Sequence, residues 1–142
     1  MNAKKADPFT KVRTSFQNLK RAFASLSEAL SKPSLSDLEA AGTVKHFEFC
    51  YELSWKTLQK QAGINGRRVA SPREAFQYGR EAGLILDDGV WPAMIESRNE
   101  TVHTYDRESA ERILNDVRQR YKAAFAALIA ELERTLLTSP QA

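Results

Sequence analysis

Nine residues, Ser97-Arg98-Asn99-Glu100-Thr101-Val102-His103-Thr104-Tyr105, gather the side chains best suited to chemistry. A histidine near its ordinary pKa gives or takes a proton at neutral pH. An arginine offers a planar fork of donors that suits a phosphate and the charge developing on it. Arg98 and His103 together could cleave an RNA backbone without a metal. The 2′-hydroxyl would attack the neighbouring phosphate while Arg98 holds the phosphoryl oxygens and His103 moves protons. The same residues also fit a plainer arrangement, with Arg98 paired to Glu96 or Glu100 on a solvated face and His103 capping a helix end.

A helix must carry this stretch. Val90, Trp91, Met94 and Ile95 read as its start, and Val102, one turn after Arg98, is expected to continue a buried or half-buried stripe. Asn99 and His103 are four apart, so a helix puts them on one face, with Asn99 able to orient His103 by a hydrogen bond. Arg98 and His103 are five apart, which separates them by about 140° on a straight helix. They converge on one phosphate only if the helix ends or distorts near His103, or if a second protomer contributes. Tyr105 lies beyond, where Asp106 could end one helix and begin the next.

Arg98-Asn99-x-x-x-His103 resembles the Arg-polar-x3-His signature of HEPN domains, and its extension to Tyr105 resembles the Arg-x4-His-x-Tyr form of HepT-type toxins. The segment from Phe47 to Lys56 resembles the second helix of the same group, also described as nucleotidyltransferase substrate-binding proteins. Ser71-Pro72-Arg73-Glu74-Ala75-Phe76 and Gly83-Leu84-Ile85 fit it too, so the likeness runs from about Phe9 to Leu136. The resemblance implies a homodimer whose two motifs face a shared cleft. It also implies a small nucleotidyltransferase partner that neutralises a ribonuclease toxin by transferring AMP to the motif tyrosine, here Tyr105. The competing implication is a non-catalytic subunit that presents substrate or nucleotide to that same enzyme. A plain helical interaction domain is the third alternative.

Composition sets the outer bounds. With 142 residues, 42% hydrophobic and 27% charged, the chain reads as one domain with a core over about residues 9–137 and short disordered tails. Its net charge of +3, from 21 basic and 18 acidic residues, permits an RNA or nucleotide partner without demanding one. The single Cys50 excludes an internal disulfide framework and a cysteine-rich zinc site. His46 and His103 are too few for a histidine metal cluster, so neither a metal nor a cofactor is expected. No run approaches the roughly 18 apolar residues that span a membrane. Met1 to Asp7 lack the apolar core of a signal peptide, so a cytoplasmic protein is expected.

Periodicity supplies the fold. Asp7-Pro8 opens a first helix whose seam is Phe9, Val12, Phe16, Leu19, Phe23, Leu26 and Leu30, ended by Lys32-Pro33-Ser34. A second runs from Leu35 or Ser36 to Ala62, with Gly63 as its stop and Leu38, Ala41, Val44, Phe47, Tyr51, Ser54, Trp55 and Leu58 on its inner face. On this helix His46 reads as a surface or interface residue. Glu48 and Glu52 read as solvated charge or a partner contact with an Arg rather than as an acid/base or metal pair. After the Asn65-Gly66 turn, Ser71-Pro72-Arg73-Glu74 caps a short third helix, with Ala75, Phe76 and Gly79 inward and Gly83 ending it. Leu84-Ile85-Leu86 is expected to pack back on the core, and Asp87-Asp88 to cap the fourth helix, with Pro92 in its first turn. The last helix, about Ser109 to Leu137, repeats the three-four seam from Ile113 to Leu136. These elements add up to an all-α fold, an antiparallel helical bundle of four to five helices.

Overall fold

The computed structural model describes residues 7–86, 89–103 and 106–138, the side chains of His103 and Thr138 excepted. Helices α1 (Pro8–Leu30), α2 (Asp37–Ile64), α3 (Pro72–Glu81), α4 (Val90–Glu100), α5 (Arg107–Asp116) and α6 (Lys122–Thr138) form the antiparallel all-α bundle, with no strand among the described residues. A 3₁₀ turn, Thr101–His103, prolongs α4. A π turn, Val117–Tyr121, joins α5 to α6 as one continuous rod.

The helix starts follow from side chains that satisfy the first free amides. Asp7 accepts from the Phe9 amide at 3.0 Å with Pro8 in the first position of α1. Ser36 and Glu39 form a reciprocal box at α2, at 3.1 and 2.9 Å. Lys32 binds the same Glu39 carboxylate at 2.7 Å and, with the box, draws its pKa down to about 2. At α3, Ser71 accepts from the Glu74 amide at 3.2 Å, while the Glu74 carboxylate reaches the Ala70 amide at 2.7 Å. Asp106 opens α5 by accepting from the Ser109 amide at 2.8 Å.

Two expectations about ends change, and a third falls outside the described residues. Helix α2 continues through Gly63 to Ile64, and it is Gly66 that takes the left-handed turn, at φ 76°. Gly89 stands at the head of α4 with φ 78° and no side-chain cap. The expected caps, Asp87 and Asp88, lie outside the described residues. The last helix begins at Arg107 rather than Ser109.

The core is an aromatic ladder. Phe47 stacks on Tyr121 at 5.7 Å and meets Phe125 at 6.2 Å. Trp91 stands edge-on to Phe125 at 5.7 Å and meets Phe76 at 4.5 Å. These rings fasten α2, α3, α4 and α6 to one another, each pair adding to the area it buries. A second, smaller cluster (Leu35, Ala40, Val44, Ala110 and Leu114) seats α5 on the start of α2. Gly79 lets α3 meet the following loop, because a Cβ there would stand 2.7 Å from Ile85 Cδ1.

Four residues expected inside are outside. Leu38 is 83% exposed and Ala41 is exposed, because the inner line of α2 runs Ala40, Val44, Phe47 and Tyr51, and Leu38 falls opposite it. Buried on that line are also Thr43, Ser54 and Thr57, whose hydroxyls donate to carbonyls four residues back. Leu84 and Ile85 do pack inward, whereas Leu86 is exposed. Val102 is 58% exposed. The buried line of α4 is Trp91, Met94, Ser97 and Thr101, and the tighter turn carries Val102 off it.

The π turn aims Tyr121 inward. Its hydroxyl pairs with Ser97 Oγ at 2.7 Å and donates to the Ala93 carbonyl at 3.2 Å, tying the rod to α4 one residue before Arg98. Burial raises the phenol pKa, with the Ser97 bond pulling the other way. Tyr121→Phe is expected to cost about 1–3 kcal/mol by leaving these buried partners unpaired, measured by urea unfolding.

Candidate functional site

Helix α4 enters the core through Trp91 and Met94 and brings Arg98 to the surface opposite α2. The Arg98 side chain stays 33% exposed. Its Nη1 donates to Thr101 Oγ1 at 3.2 Å and stands 3.7 Å from Glu48 Oε1 on α2. Thr101 Oγ1 lies 2.6 Å from the same Glu48 oxygen and 2.7 Å from the Arg98 carbonyl. Its one proton goes preferentially to the carboxylate, the stronger acceptor. Lys45 closes the group at 2.9 Å from Glu48 Oε2.

Glu48 is thus the hub that joins α2 to the arginine. Burial pushes its carboxyl up, but the Thr101 hydrogen bond, the Lys45 contact and the Arg98 charge together bring it below the usual carboxylate value. Glu48 was not among the expected site residues. Its carboxylate was expected to be solvated or to make a partner contact with an Arg, and the arginine it meets is instead the chain's own Arg98. Glu52 stays exposed and accepts from Trp55 Nε1 at 2.8 Å. Arg98 therefore pairs with neither Glu96 nor Glu100; Glu100 lies 3.9 Å from Arg112 instead. His46 is half-buried, edge-on to Phe49 at 6.4 Å.

Glu48→Gln keeps the shape and removes the charge. It is expected to cost about 1 kcal/mol at neutral pH, since the group is only partly screened. A carboxyl lowered in the fold stabilises above its unfolded value of about 4.5 and loses that contribution as pH falls through its folded value. The gap between wild-type and Glu48→Gln melting temperatures should therefore be full at neutral pH and close below about pH 4.5, which thermal melts from pH 7 to 3 would show.

Asn99 is exposed on α4. His103 ends the 3₁₀ turn, and its side chain lies outside the described residues, as do Thr104 and Tyr105. The backbone nevertheless constrains the set. Three residues per turn instead of 3.6 adds about 20° per residue, so positions 98 and 103 stand about 180° apart around the axis rather than 140°. Positions 99 and 103 open from about 40° to about 80° by the same winding. Helix α4 does distort before His103, but in the sense that separates the two residues. Among the described residues no three His, Cys, Asp or Glu side chains gather into a metal-ligating group. None of the described helices is long and apolar enough to cross a membrane.

The family model for nucleotidyltransferase substrate binding protein-like chains matches residues 14–134. The chain belongs to this family. HI0074 from Haemophilus influenzae, described as the fold of a substrate-binding domain of a nucleotidyltransferase, superposes with a TM-score of 0.65 at 25% identity, over 88% of this chain and 98% of that one. A protein of Thermus thermophilus superposes at 0.68 with 29% identity, over 83% and 98%. A Haemophilus influenzae relative named "Probable ribonuclease HepT" is 38% identical over 89 residues. That match takes in 56% of this chain and 58% of the relative, so it spans little more than half of either. The HepT and nucleotidyltransferase substrate-binding resemblance drawn from the motif, and the all-α bundle drawn from periodicity, are both borne out.

Proposed function

We propose that this protein is a cytoplasmic HEPN-type ribonuclease toxin, paired with a minimal nucleotidyltransferase antitoxin, that cuts RNA without a metal. The observation that carries the reading is Arg98. It sits at the end of α4, partly open to solvent, with one edge held by Thr101 and Glu48. A guanidinium so held meets a phosphate with little ordering cost. Kinship with a relative named as a ribonuclease supports the same conclusion.

In the reaction the 2′-oxygen bonds to phosphorus and the bond to the 5′-oxygen breaks. His103 takes the 2′ proton or returns one to the leaving oxygen, and Arg98 neutralises the phosphoryl charge. The products are a 2′,3′-cyclic phosphate and a 5′-hydroxyl. Because positions 98 and 103 stand on opposite sides of one helix end, the site is composite, with Arg98 of one protomer and His103 of a second serving one phosphate in a homodimer. Val102, exposed between them, supplies apolar surface for that contact. Asn99 acts at the rim of the same site. The partner transfers AMP to Tyr105 and so switches the enzyme off.

Incubating the purified protein with RNA and a chelator tests the reading. Cleavage to cyclic-phosphate ends is expected, whereas intact RNA would favour the second reading. That second reading, a non-catalytic subunit presenting substrate or nucleotide to the nucleotidyltransferase, draws its support from the HI0074 likeness.

A further inference from the structure

Away from Arg98, α1 and α2 line a cleft of about 460 Å³ that collects Lys11, Lys56 and Lys60, with Thr14, Glu52 and Leu53 between them. Lys11 is exposed, and Lys56 and Lys60 are half-buried. Lys56 stands over the Trp55 ring at 5.2 Å. Three ammonium groups against one carboxylate leave the cleft positive, and the carboxylate, Glu52, is already engaged by Trp55.

We propose that this cleft is a phosphate-binding subsite for the backbone of single-stranded RNA, continuous along α2 with Arg98. The inference rests on the reading of the protein as one that acts on RNA.

Helical spacing supports the continuity. Positions 45, 49, 52, 56 and 60 recur every three or four residues and form one stripe on α2, none of it buried. The stripe begins at Lys45, which holds the Glu48 carboxylate beside Arg98, and ends at Lys60. From residue 48 to residue 60 the helix rises about 18 Å, room for on the order of five stacked nucleotides at about 3.4 Å each. Phe49, 50% exposed on that stripe, offers a ring on which a base can stack. The electrostatics favour an anionic ligand. Burial holds the Lys60 pKa below its usual value, and the charges of Lys56 and Lys11 lower it further. A bound phosphate relieves that repulsion. A lysine is also a suitable group for the task, since its ammonium meets a phosphate as a point charge and tolerates a moving backbone.

The test is binding, read separately from cleavage. A fluorescein-labelled single-stranded RNA is titrated by anisotropy into full-length protein carrying His103→Ala, so that the RNA stays intact. The same is done after adding Lys11→Gln, Lys56→Gln and Lys60→Gln, with circular dichroism confirming the fold. Each lost phosphate contact removes about 0.7 from the slope of log affinity against log salt for a single strand, so a fall of about two is expected, with affinity at 0.1 M salt down on the order of a hundredfold. Unchanged affinity and slope would overturn the subsite and leave the Arg98 reading standing. A slope loss in a protein whose wild type does not cut RNA would uphold the subsite and remove the ribonuclease. If RNA binding is unchanged but binding to the nucleotidyltransferase falls, the cleft is a protein-docking surface and the proposal is wrong.

Discussion

Arg98→Ala protein is expected to lose RNA cleavage by a factor on the order of a thousand while remaining folded, since a guanidinium on a developing phosphoryl charge supplies at least that much. The fold should tolerate the change. Arg98 is one-third exposed, and its ion pair with Glu48 spans 3.7 Å, so its loss costs about 1 kcal/mol and moves the melting temperature by a few degrees. His103→Ala should lose activity on a similar scale, about a hundredfold to ten-thousandfold for a proton-transfer group. Asn99→Ala should lose less, because Asn99 at most orients its neighbour. A mixture of the two dead proteins then separates a composite site from a self-contained one. If Arg98 of one protomer works with His103 of the other, each mixed dimer contains one intact site and one doubly broken site. Random exchange makes half the dimers mixed, so activity returns to about a quarter of wild type. If both residues serve within one chain, no dimer in the mixture has an intact site and activity stays absent.

The parts of the fold that were legible in the sequence are those where one local rule decides. Asp7, Ser36 and Ser71 mark helix starts because only a short polar side chain reaches the free amides there. The long seams of α1 and of the last rod are legible because apolar residues recur at nearly every inward position, Ser15 being the exception on α1. The seam failed on α2 at Thr43 and Thr57, which are buried yet polar, their hydroxyls hidden by carbonyls of the preceding turn, whereas Ser54, buried in the same way, was placed inside. Pattern alone gave Leu38 and Ala41 the places that belong to Ala40 and Thr43. The π turn was illegible for a different reason. Val117 and Tyr121 stand four apart, as in any α-helix, and the altered winding lies in the backbone, where the Lys122 amide reaches back five residues to the Val117 carbonyl.

The site divides in the same way. Arg98 stood out in the sequence because its type suits a phosphate, and the fold leaves its side chain partly exposed at the end of α4. Glu48 did not, because a carboxylate on an exposed-looking turn has no pattern that distinguishes it from solvated charge. What sets it apart is that α4 happens to cross α2 there, a long-range fact that no window of sequence contains. The 3₁₀ turn after Glu100 is intermediate. The sequence left either a departure from a straight helix or a second protomer to bring Arg98 and His103 together, and the departure that occurs turns the two positions further apart, which is why the proposed site draws on a second protomer.

Tyr105→Phe protein is expected to fold, to retain much of its RNA cleavage, and to escape neutralisation by the nucleotidyltransferase altogether. Tyr105 lies two residues past His103 and directly before Asp106, whose exposed side chain caps α5. The transfer proposed there forms a bond from the tyrosine oxygen to the α-phosphorus of ATP and breaks the bond to pyrophosphate, with the phenolic proton leaving to the partner or to water. The product is a phosphodiester bearing one negative charge and a nucleoside, attached seven residues after Arg98 in the sequence. Such a group competes with RNA for the guanidinium by charge and fills the approach by bulk. Phenylalanine keeps the ring and removes the accepting oxygen, so packing is preserved while the chemistry is lost. Intact mass spectrometry after incubation with the partner and ATP reads the outcome directly. An adenylyl increment on the wild type and none on Tyr105→Phe is the expected pair. Growth arrest by Tyr105→Phe in the presence of the partner is the matching expected result in cells, whereas an increment that persists on the phenylalanine variant, or none on the wild type, would remove Tyr105 as the point of control.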